Sequence, residues 1–345
     1  MNTPIAFVTG ATGLVGSRLL YDLLQRGIRV KALKRPQSNT LQVLKTFGLY
    51  TDDAEALFQK IEWTDGELLD FRSMSEAVDG CIQVFHTAAI VSFNHADREE
   101  MMRINVNGTA NIVNVCLENN VPLCHVSSIG ALGRTEPGMS ITETDLWQTD
   151  KGRSAYAYSK FKSEMEVWRG IAEGLPAVIV NPSVILGPGD WSKGSSKFFP
   201  QVYRGMRFYT PGITGFVDVR DVSRCMMMLT EQERFGERYI LTAGDMSYRD
   251  LFNMIADGFN MKRPTIAAKP WMLKAVCNFS WLAGKLTGKN PALTKETARS
   301  AFQQIFYSNE KIRKTLGFEF TPLEKSIEAC CRYFLDTKSK DNENQ

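Results

Sequence analysis

Thr9-Gly10-Ala11-Thr12-Gly13-Leu14-Val15-Gly16 lies between a short apolar run at residues 5–8 and leucines at helical spacing that end before Gly27. This order predicts a strand, a glycine turn and a helix. Gly10 would permit the tight turn, Gly13 would let the backbone approach a pyrophosphate, and Gly16 would let the helix pack on the strand. The helix N-terminus would then face the phosphates with its free N–H groups and its dipole.

The glycines follow the spacing G-x-x-G-x-x-G, which departs from the common pattern G-x-G-x-x-G. A glycine turn that serves only packing is therefore the alternative interpretation. If the turn binds a nucleotide, we expect the following residues to line the phosphates: Gly10, Thr12, Gly13, Leu14, Val15 and Gly16.

Strand patterns alternate with helical patterns through the first half of the chain. Apolar runs at residues 28–33, 61–63, 82–85, 123–127 and 177–180 predict strands, and helical spacing recurs between them. Such alternation is typical of a parallel sheet that helices cover on both faces. We therefore predict an α/β fold, a Rossmann-type doubly wound parallel sheet with a smaller C-terminal α/β substrate lobe.

The domain boundary is predicted near Pro182, where the pattern loosens into Gly, Pro and aromatic residues. Residues 1–182 would form the nucleotide-binding domain and residues 183–335 the substrate lobe. Because the chain can cross between lobes more than once, residues 216–230 and 238–241 are segments that would return to the first domain. The tail at residues 336–345 is polar enough to predict disorder.

Composition limits the class of protein and its partners. The 345 residues are 43% hydrophobic and 23% charged, with a formal charge of +3, which indicates a soluble globular chain without a field for nucleic acid or anionic lipid. The seven Cys form no C-x-x-C pair and only three His are present, so no metal site is expected. A strand that starts at Ile5 leaves no room for a signal peptide, and no run is apolar enough to span a membrane, so we expect a cytoplasmic protein.

The end of the second predicted strand carries Lys34-Arg35-Pro36, where an NAD-binding site would place an acidic residue. Two cations suit the extra 2'-phosphate of NADP, because Arg can meet it with a fork of donors and Lys adds a point charge. The alternative is an ordinary solvated pair. We also expect Asp70 and Phe71 to meet the adenine, and small side chains to pass beneath the cofactor at Thr87, Ala88 and Ala89.

Tyr156 and Lys160 are four residues apart in a helical segment and so lie on one face, whereas Tyr158 is turned away by about 200°. An ammonium about 4 Å from a phenolate is worth about 4 kcal/mol at an effective dielectric of about 20, which is about three pKa units. Burial opposes this shift, so it is an upper bound. A phenol tuned in this way can give a proton to a carbonyl oxygen that receives hydride.

Ser128 follows the fifth strand, at the sheet edge where open parallel sheets bind ligands, and its hydroxyl is suited to hold the substrate oxygen. Asn105 has three interpretations. It would hold a backbone segment, hold a water that feeds a proton relay, or simply pack a buried helix.

Together these motifs make the chain resemble the extended short-chain dehydrogenase/reductases of the NAD-dependent epimerase/dehydratase superfamily. The resemblance covers nearly the whole chain, and residues 30–36 with the context of Ser128 are most similar to dihydroflavonol 4-reductase-like and cinnamoyl-CoA reductase-like enzymes. The motifs that carry it are the glycine turn, Asp70-Phe71, Asn105-Val106-Asn107-Gly108-Thr109, Ser128, Tyr156-x-x-x-Lys160, Asn181-Pro182, residues 216–222 and Leu316-Gly317-Phe318.

The resemblance implies a catalytic triad of Ser128, Tyr156 and Lys160, in which Lys160 also holds the nicotinamide ribose. It further implies that Arg35 binds the NADP phosphate, and that the protein is a monomer or a homodimer. We expect additional cofactor contacts from Pro182 and Ser183.

Two departures from the family affect the choice of reaction. Ile129-Gly130 follow Ser128 where sugar dehydratases carry an acidic pair, which argues against dehydration. Thr214-Gly215 stand where many nucleotide-sugar epimerases have an arginine, which weakens epimerisation. The favoured function is an NADPH-dependent reductase of an aldehyde or ketone with Tyr156 as general acid/base. The alternatives are a nucleotide-sugar epimerase and a non-catalytic NADP-sensing regulator.

The second lobe supplies aromatic residues suited to an apolar or aromatic carbonyl substrate, or simply to a core. They are Trp191, Phe198, Phe199, Tyr203, Phe208, Tyr209 and Phe216. Residues 271–289 combine aromatic, Leu and Lys residues, which is consistent with a lid, a helix on a membrane surface or, preferably, a packed helix.

Overall fold

The computed structural model describes residues 4–273, 275–277 and 295–343. The strands, in chain order, are β1 (Ile5–Thr9), β2 (Arg29–Lys34), β3 (Ile61–Asp65), β4 (Gln83–His86), β5 (Leu123–Val126), β6 (Ser140–Ile141), β7 (Ala177–Pro182), β8 (Val184–Leu186), β9 (Phe208–Tyr209), β10 (Ile213–Asp218), β11 (Glu237–Leu241), β12 (Gly244–Ser247), β13 (Ile266–Ala267) and β14 (Phe306–Tyr307).

The α-helices begin and end as follows: α1 (Leu14–Gln25), α2 (Leu41–Phe47), α3 (Ala54–Phe58), α4 (Phe71–Val78), α5 (Arg98–Met101), α6 (Gly108–Asn119), α7 (Ala155–Ala172), α8 (Phe198–Tyr203), α9 (Val219–Glu231), α10 (Tyr248–Gly258), then Lys295–Ser300, Glu310–Leu316 and Leu323–Glu343. A π-helical segment, Met102–Asn107, joins α5 to α6.

The central sheet of the described residues has seven strands in the order β11-β7-β5-β4-β1-β2-β3. Every neighbouring pair in it is parallel. The order 3-2-1-4-5 with further strands beyond is that of a doubly wound nucleotide-binding sheet, whose strand order reverses at β1. The prediction of a Rossmann-type α/β fold is therefore confirmed, with β1 and β4 placed side by side at the switch point.

Both faces of this sheet are buried, as the apolar runs in the sequence predict. Along β1, Ala6 and Val8 belong to the hydrophobic cluster on one face, whereas Phe7 belongs to the cluster on the other. The first cluster includes residues of α1, α2 and α9, and the second includes residues of α4, α6 and α7. Alternate side chains of one strand thus enter two cores, which explains why the strands read as continuous apolar segments.

The second half of the chain contributes to both lobes. Residues 238–241 lie in β11, which extends the central sheet by pairing with β7. Residues 216–230 are divided between the two lobes. Strand β10 belongs to a small sheet with β8 and β12, while α9 contributes side chains to the core that contains α1. A third apolar cluster forms between α8, α10 and the helix Leu323–Glu343.

One sequence prediction differs from the structure, and the core alternative left open for the aromatic residues applies to two of them. The helix Leu323–Glu343 runs through most of the segment predicted to be a disordered tail. Its first turns are anchored by buried residues such as Ile327 and Phe334, and extending an existing helix costs little because each added residue gains a hydrogen bond. Phe199 and Phe216 are fully buried in the core of the second lobe, where aromatic rings pack against each other, and so they do not line a pocket.

Residues 278–289, which make up most of the segment considered as a lid or surface helix, lie outside the described residues. Within the described part of the chain, no helix combines the length and the apolar character that crossing a bilayer requires.

Candidate active site

The glycine turn between β1 and α1 has the geometry that the sequence predicts. Gly10 has a φ of +68°, and a Cβ there would lie 2.6 Å from the Ala88 nitrogen, so only glycine fits. A Cβ at Gly16 would lie 2.2 Å from the Gly10 carbonyl oxygen, because the first turn of α1 packs directly on the loop. Two of the three glycines are therefore required by close backbone approach.

Gly13 differs from the other two, because it is exposed and caps α1 without a side chain. The first turn of α1 contains no acidic residue. The N–H groups at this end are thus open to a ligand, and nothing negative competes with a phosphate. Thr12, Leu14 and Val15 are half-buried beside it. These residues fit a dinucleotide whose pyrophosphate meets the helix N-terminus.

The two cations after β2 have different surroundings. Lys34 Nζ lies 2.5 Å from Asp65 Oδ1, across the ends of β2 and β3. Arg35 is exposed, its backbone nitrogen donates to Ser38 Oγ, and its guanidinium makes no ion pair within the described residues. Arg35 is therefore the cation that stays available to an incoming anion.

Small residues connect the ends of β1 and β4. Thr87 Oγ1 donates to the Thr9 carbonyl oxygen at 2.7 Å, and Ala88 and Ala89 are half-buried beside the turn. After β3, Asp70 caps α4 by accepting from the Ser73 nitrogen at 3.2 Å, and Phe71 is exposed. Asp70 thus has a structural role whether or not it meets an adenine.

Tyr156 lies in the first turn of α7, which begins where Ser154 Oγ accepts from the Ala157 nitrogen. The Ser128 hydroxyl lies close enough to the Tyr156 phenol to lower its pKa. Ser128 Oγ also accepts from the Gly130 nitrogen at 3.1 Å, which fixes its position. Tyr158 faces elsewhere, with Lys162 over its ring. The structure therefore brings together the hydroxyl and the phenol that the sequence pairs.

Burial sets the pKa of Tyr156. It raises the pKa above the ordinary value for tyrosine, and the nearby Ser128 hydroxyl offsets only part of this effect. The expected lowering of this pKa by Lys160 is wrong, because the pKa is raised. Lys160 Nζ instead donates to the Val126 carbonyl oxygen at 2.7 Å. Lys160 is itself buried, which lowers its pKa to about 8.

Asn105 binds backbone atoms in the structure, as one of its three interpretations expects. Its Oδ1 accepts from the Ile90 nitrogen at 2.7 Å and its Nδ2 donates to the Ile90 carbonyl oxygen at 2.9 Å. The same Nδ2 donates to Ser159 Oγ at 3.0 Å, and Ser159 Oγ donates to the Tyr156 carbonyl oxygen. Asn105 thus joins the segment after β4 to the helix that carries Tyr156.

The segment that Asn105 holds brings Phe93 against Tyr156, with ring centroids 5.7 Å apart in an edge-to-face arrangement. Phe93 remains 40% exposed and Val91 59% exposed, although both are apolar. Sequence reasoning missed these residues, because nothing in the local pattern shows that the segment passes over the tyrosine.

Pro182 is buried at the end of β7, and Ser183 follows it with its nitrogen donating to the Leu241 carbonyl oxygen at 2.9 Å. Ser183 Oγ is buried without a hydrogen-bond partner among the described residues. Asn181, one residue before Pro182, donates from Nδ2 to the Ser128 carbonyl oxygen at 3.0 Å. The end of β7 is thus tied to the residue predicted to bind substrate.

The sequence analysis did not identify two buried features near Lys160, a pair of histidines and a carboxylate. His86 and His125 are fully buried on neighbouring strands, and burial together with the charge of Lys160 lowers the pKa of both, that of His86 to about 3. Glu164 lies one turn beyond Lys160 on α7 and is buried with Arg238. Glu164 could have been found from its spacing, because it follows Lys160 by four residues on the same helix. Arg238 lies 74 residues beyond Glu164, so no local spacing predicts that they pair.

Comparison with known proteins gives consistent results. Residues 6–242 match the model of the NAD dependent epimerase/dehydratase family. The chain is 31% identical to sterol demethylase protein B of Methylococcus capsulatus over 272 residues, covering 78% of this chain and 79% of that protein. It is 25% identical to cinnamoyl-CoA reductase 1 of Petunia hybrida over 338 residues, covering 94% and 90%. The solved structure of gox2253 aligns over 97% of this chain and 99% of that one, with a TM-score of 0.79 and 30% identity.

Proposed function

Because the chain belongs to the NAD-dependent epimerase/dehydratase family, we propose that it is an NADPH-dependent reductase that converts an aldehyde or ketone into an alcohol. Its family and its reductase relatives make it an NAD(P)-dependent oxidoreductase or a closely related enzyme. The observation that carries the finer proposal is the proximity of the Ser128 hydroxyl to the Tyr156 phenol, at the edge of the sheet where the glycine turn also lies.

The proposed reaction uses these two hydroxyl groups on one oxygen atom. The reduced nicotinamide, when bound, supplies the hydride to the carbonyl carbon. Ser128 Oγ donates a hydrogen bond to the carbonyl oxygen, and Tyr156 gives its proton to that oxygen as negative charge develops there. A buried phenol that keeps its proton is suited to the role of acid in this direction. Carbonyl, hydride and proton together give the alcohol, and the tyrosine regains a proton afterwards.

The preference for NADP rests on Arg35. Its guanidinium is exposed and unpaired within the described residues, while Lys34 neutralises the carboxylate of Asp65 that would otherwise repel a 2'-phosphate. The remaining cofactor contacts follow the expectation from the sequence. They are the glycine-turn residues, Asp70, Phe71, Thr87, Ala88, Ala89, Pro182 and Ser183, together with Tyr156 and Lys160.

We propose an apolar carbonyl compound as substrate, since the exposed apolar side chain of Phe93 lies against the proposed acid and Val91 is exposed in the same segment. The names of two relatives, a sterol demethylase protein and a cinnamoyl-CoA reductase, are compatible with such a molecule. We also propose that residues 1–182 bind the cofactor and that residues 183–335 contribute the substrate lobe, with β11 returned to the first domain.

The test is a panel of aliphatic, aromatic and polycyclic aldehydes and ketones, in which loss of NADPH absorbance is measured with purified protein. The proposal expects stoichiometric alcohol and NADP⁺ from at least one member. An epimerase would instead interconvert UDP-sugars without net consumption of cofactor, and a sensing regulator would bind NADPH without turnover. Either of those outcomes would replace the proposal.

A further inference from the structure

Glu164 is a buried carboxylate beneath the proposed active site, with 1% of its surface exposed. Its Oε2 accepts from Ser127 Oγ at 2.6 Å and from Asn181 Nδ2 at 2.8 Å. Its Oε1 accepts from Arg238 Nη1 at 2.9 Å. One side chain of α7 therefore binds residues of β7 and β11 and the residue that follows β5, which are neighbours in the sheet.

These contacts reach the proposed catalytic serine through two short paths. Ser127 directly precedes Ser128, and Asn181 donates from the same Nδ2 to both Glu164 and the Ser128 carbonyl oxygen. Glu164 thus holds the Ser127 side chain directly, and it holds the Ser128 carbonyl oxygen through Asn181. Neither path exposes the Glu164 carboxylate to the cleft, because the atoms it binds are themselves buried.

Arg238 is held in place on both sides of its guanidinium. Its Nε and Nη2 donate to the Glu143 carbonyl oxygen at 2.9 and 2.6 Å, while Nη1 is given to Glu164. A buried ion pair is often no more stabilising than apolar residues of the same volume, since desolvation opposes the Coulomb attraction. Fold stability alone is therefore a weak reason for a buried charge at this point.

The charge has a specific neighbour in Lys160. Burial lowers the pKa of Lys160, and the negative charge of Glu164 raises it, so that it lies at about 8. Among the described residues, the titratable groups on neighbouring strands that interact with this ammonium are His86 on β4 and His125 on β5, both neutral near pH 7 because burial disfavours their charged forms. Glu164 therefore opposes the desolvation of Lys160.

We propose that Glu164 is a positioning residue of the active site, which fixes the Ser127–Ser128 backbone through Ser127 and Asn181 and places its carboxylate one helical turn from Lys160, without touching substrate or cofactor. The inference rests on the proposed reductase function. A charged Lys160 is the donor available to the ribose. Loss of the Glu164 charge would let Lys160 become neutral at a lower pH.

The first experiment compares the pH dependence of kcat in the wild type and in Glu164→Gln, which keeps the shape and an acceptor oxygen but removes the charge. Since Lys160 is protonated below its pKa, activity falls as pH rises through about 8 in the wild type. We expect this alkaline limb to move down by about one pH unit or more in the variant. Glu166→Gln is the matched control, because Glu166 lies two residues away and pairs with Arg169 at the surface; its limb should not move.

A second variant separates positioning from simple stability. Glu164→Gln leaves Arg238 buried and unpaired, so it is expected to lower Tm. The double variant Glu164→Gln/Arg238→Met removes that unpaired charge and should recover part of the Tm, while the shifted alkaline limb persists. A limb that returns to the wild-type position along with the Tm would overturn the proposal, since the single variant would then have acted through folding alone.

A measurement without substrate keeps this inference distinct from the proposed function. The side-chain nitrogen of Lys160 can be titrated by NMR in the ¹⁵N-lysine-labelled protein, with the resonance assigned by its loss in Lys160→Met. The expected result is a lower titration midpoint in Glu164→Gln than in the wild type. An unchanged midpoint would refute the inference, whereas failure of every carbonyl compound to react would refute only the reductase proposal.

Discussion

Lys34 Nζ lies 2.5 Å from Asp65 Oδ1, so that the first of two adjacent cations neutralises a carboxylate at the end of the neighbouring strand. Because of this pairing, Lys34 and Arg35 have different roles in the proposed site. In the NADP site that we propose, Lys34 would offset a negative charge near the 2'-phosphate, and Arg35 would keep its donors for the phosphate itself. The two residues are therefore not equivalent phosphate ligands, since Lys34 is already paired with Asp65.

Arg35→Gln should weaken NADPH binding by about 10- to 100-fold, which corresponds to the loss of a charge-assisted hydrogen bond. NADH lacks the 2'-phosphate, so its Kd should change by less than about twofold. Fluorescence titration of both cofactors gives the two values. Arg72→Gln serves as the control, since Arg72 pairs with Glu76 on the surface of α4. Equal losses for NADPH and NADH would remove Arg35 from the phosphate site.

Tyr156→Phe should lower kcat by about 10²- to 10⁴-fold, the usual contribution of a positioned general acid. NADPH affinity should be nearly unchanged, because the ring is retained. Tyr158→Phe is the matched control two residues along α7, where Lys162 covers the ring, and it should keep wild-type turnover. Normal turnover of Tyr156→Phe would eliminate the phenol as proton donor.

Ser128→Ala should lower kcat by about 10²-fold, as expected for loss of one donor to an oxygen that becomes negatively charged. It also removes the hydroxyl that opposes the raised pKa of Tyr156. The apparent pKa of the acid in the kcat profile should therefore move upward in the variant. Steady-state assays across pH measure both effects, and a variant with wild-type kcat would exclude Ser128 from the mechanism.

The elements that could be predicted from the sequence are those whose cause is local. The glycine turn, the strands of the central sheet and the placement of Tyr156 and Lys160 on one helix face follow from spacing over a few residues. Glu164 and Arg238 meet only because β11 returns to the sheet 74 residues later, and no local pattern encodes that pairing. The direction of the Tyr156 pKa was also mispredicted, because the hydrogen bond of Lys160 to Val126 depends on the strand beneath α7.

His125 gives a prediction for the acid side of stability. It is buried beside His86, and its ring nitrogens have no hydrogen-bond partner among the described residues. The pKa of His125 is lowered well below 6.5 in the folded protein, so the unfolded chain binds a proton there that the folded one does not. Its contribution to stability is therefore lost as pH falls below about 6.5, by about 1.4 kcal/mol per pH unit.

His125→Leu should remove this dependence, since leucine has a similar size and no proton to bind. Urea unfolding between pH 7 and pH 4 should give a slope of unfolding free energy against pH that is smaller than in the wild type by about 1.4 kcal/mol per unit. His86→Leu provides the contrast. It should lower stability near pH 7, because Thr9 and Thr109 would lose their hydrogen bonds to the ring, and it should also reduce the slope below about pH 6.5, because the pKa of His86 is lowered to about 3. Identical slopes in wild type and His125→Leu would contradict the prediction.

Asn105→Ala should act on the segment that follows β4. The amide group binds both the nitrogen and the carbonyl oxygen of Ile90, and that segment places Phe93 against the ring of Tyr156. Without these bonds the segment should open locally, so amide hydrogen exchange at residues 88–94 should accelerate. Because Phe93 is proposed to contact the apolar part of the substrate, KM for the carbonyl compound should rise by about tenfold, with a smaller fall in kcat.

Asn114→Ala is the control, since Asn114 lies on the outer surface of α6 and accepts from Arg169. A role of Asn105 in proton relay alone would give the opposite division: kcat and its solvent isotope effect would change, while KM and hydrogen exchange at residues 88–94 would not. One variant thus separates the two roles, because loss of a backbone contact changes KM and hydrogen exchange, whereas loss of a relay changes kcat and its isotope effect. Loss of kcat with unaltered exchange would therefore return Asn105 to the relay.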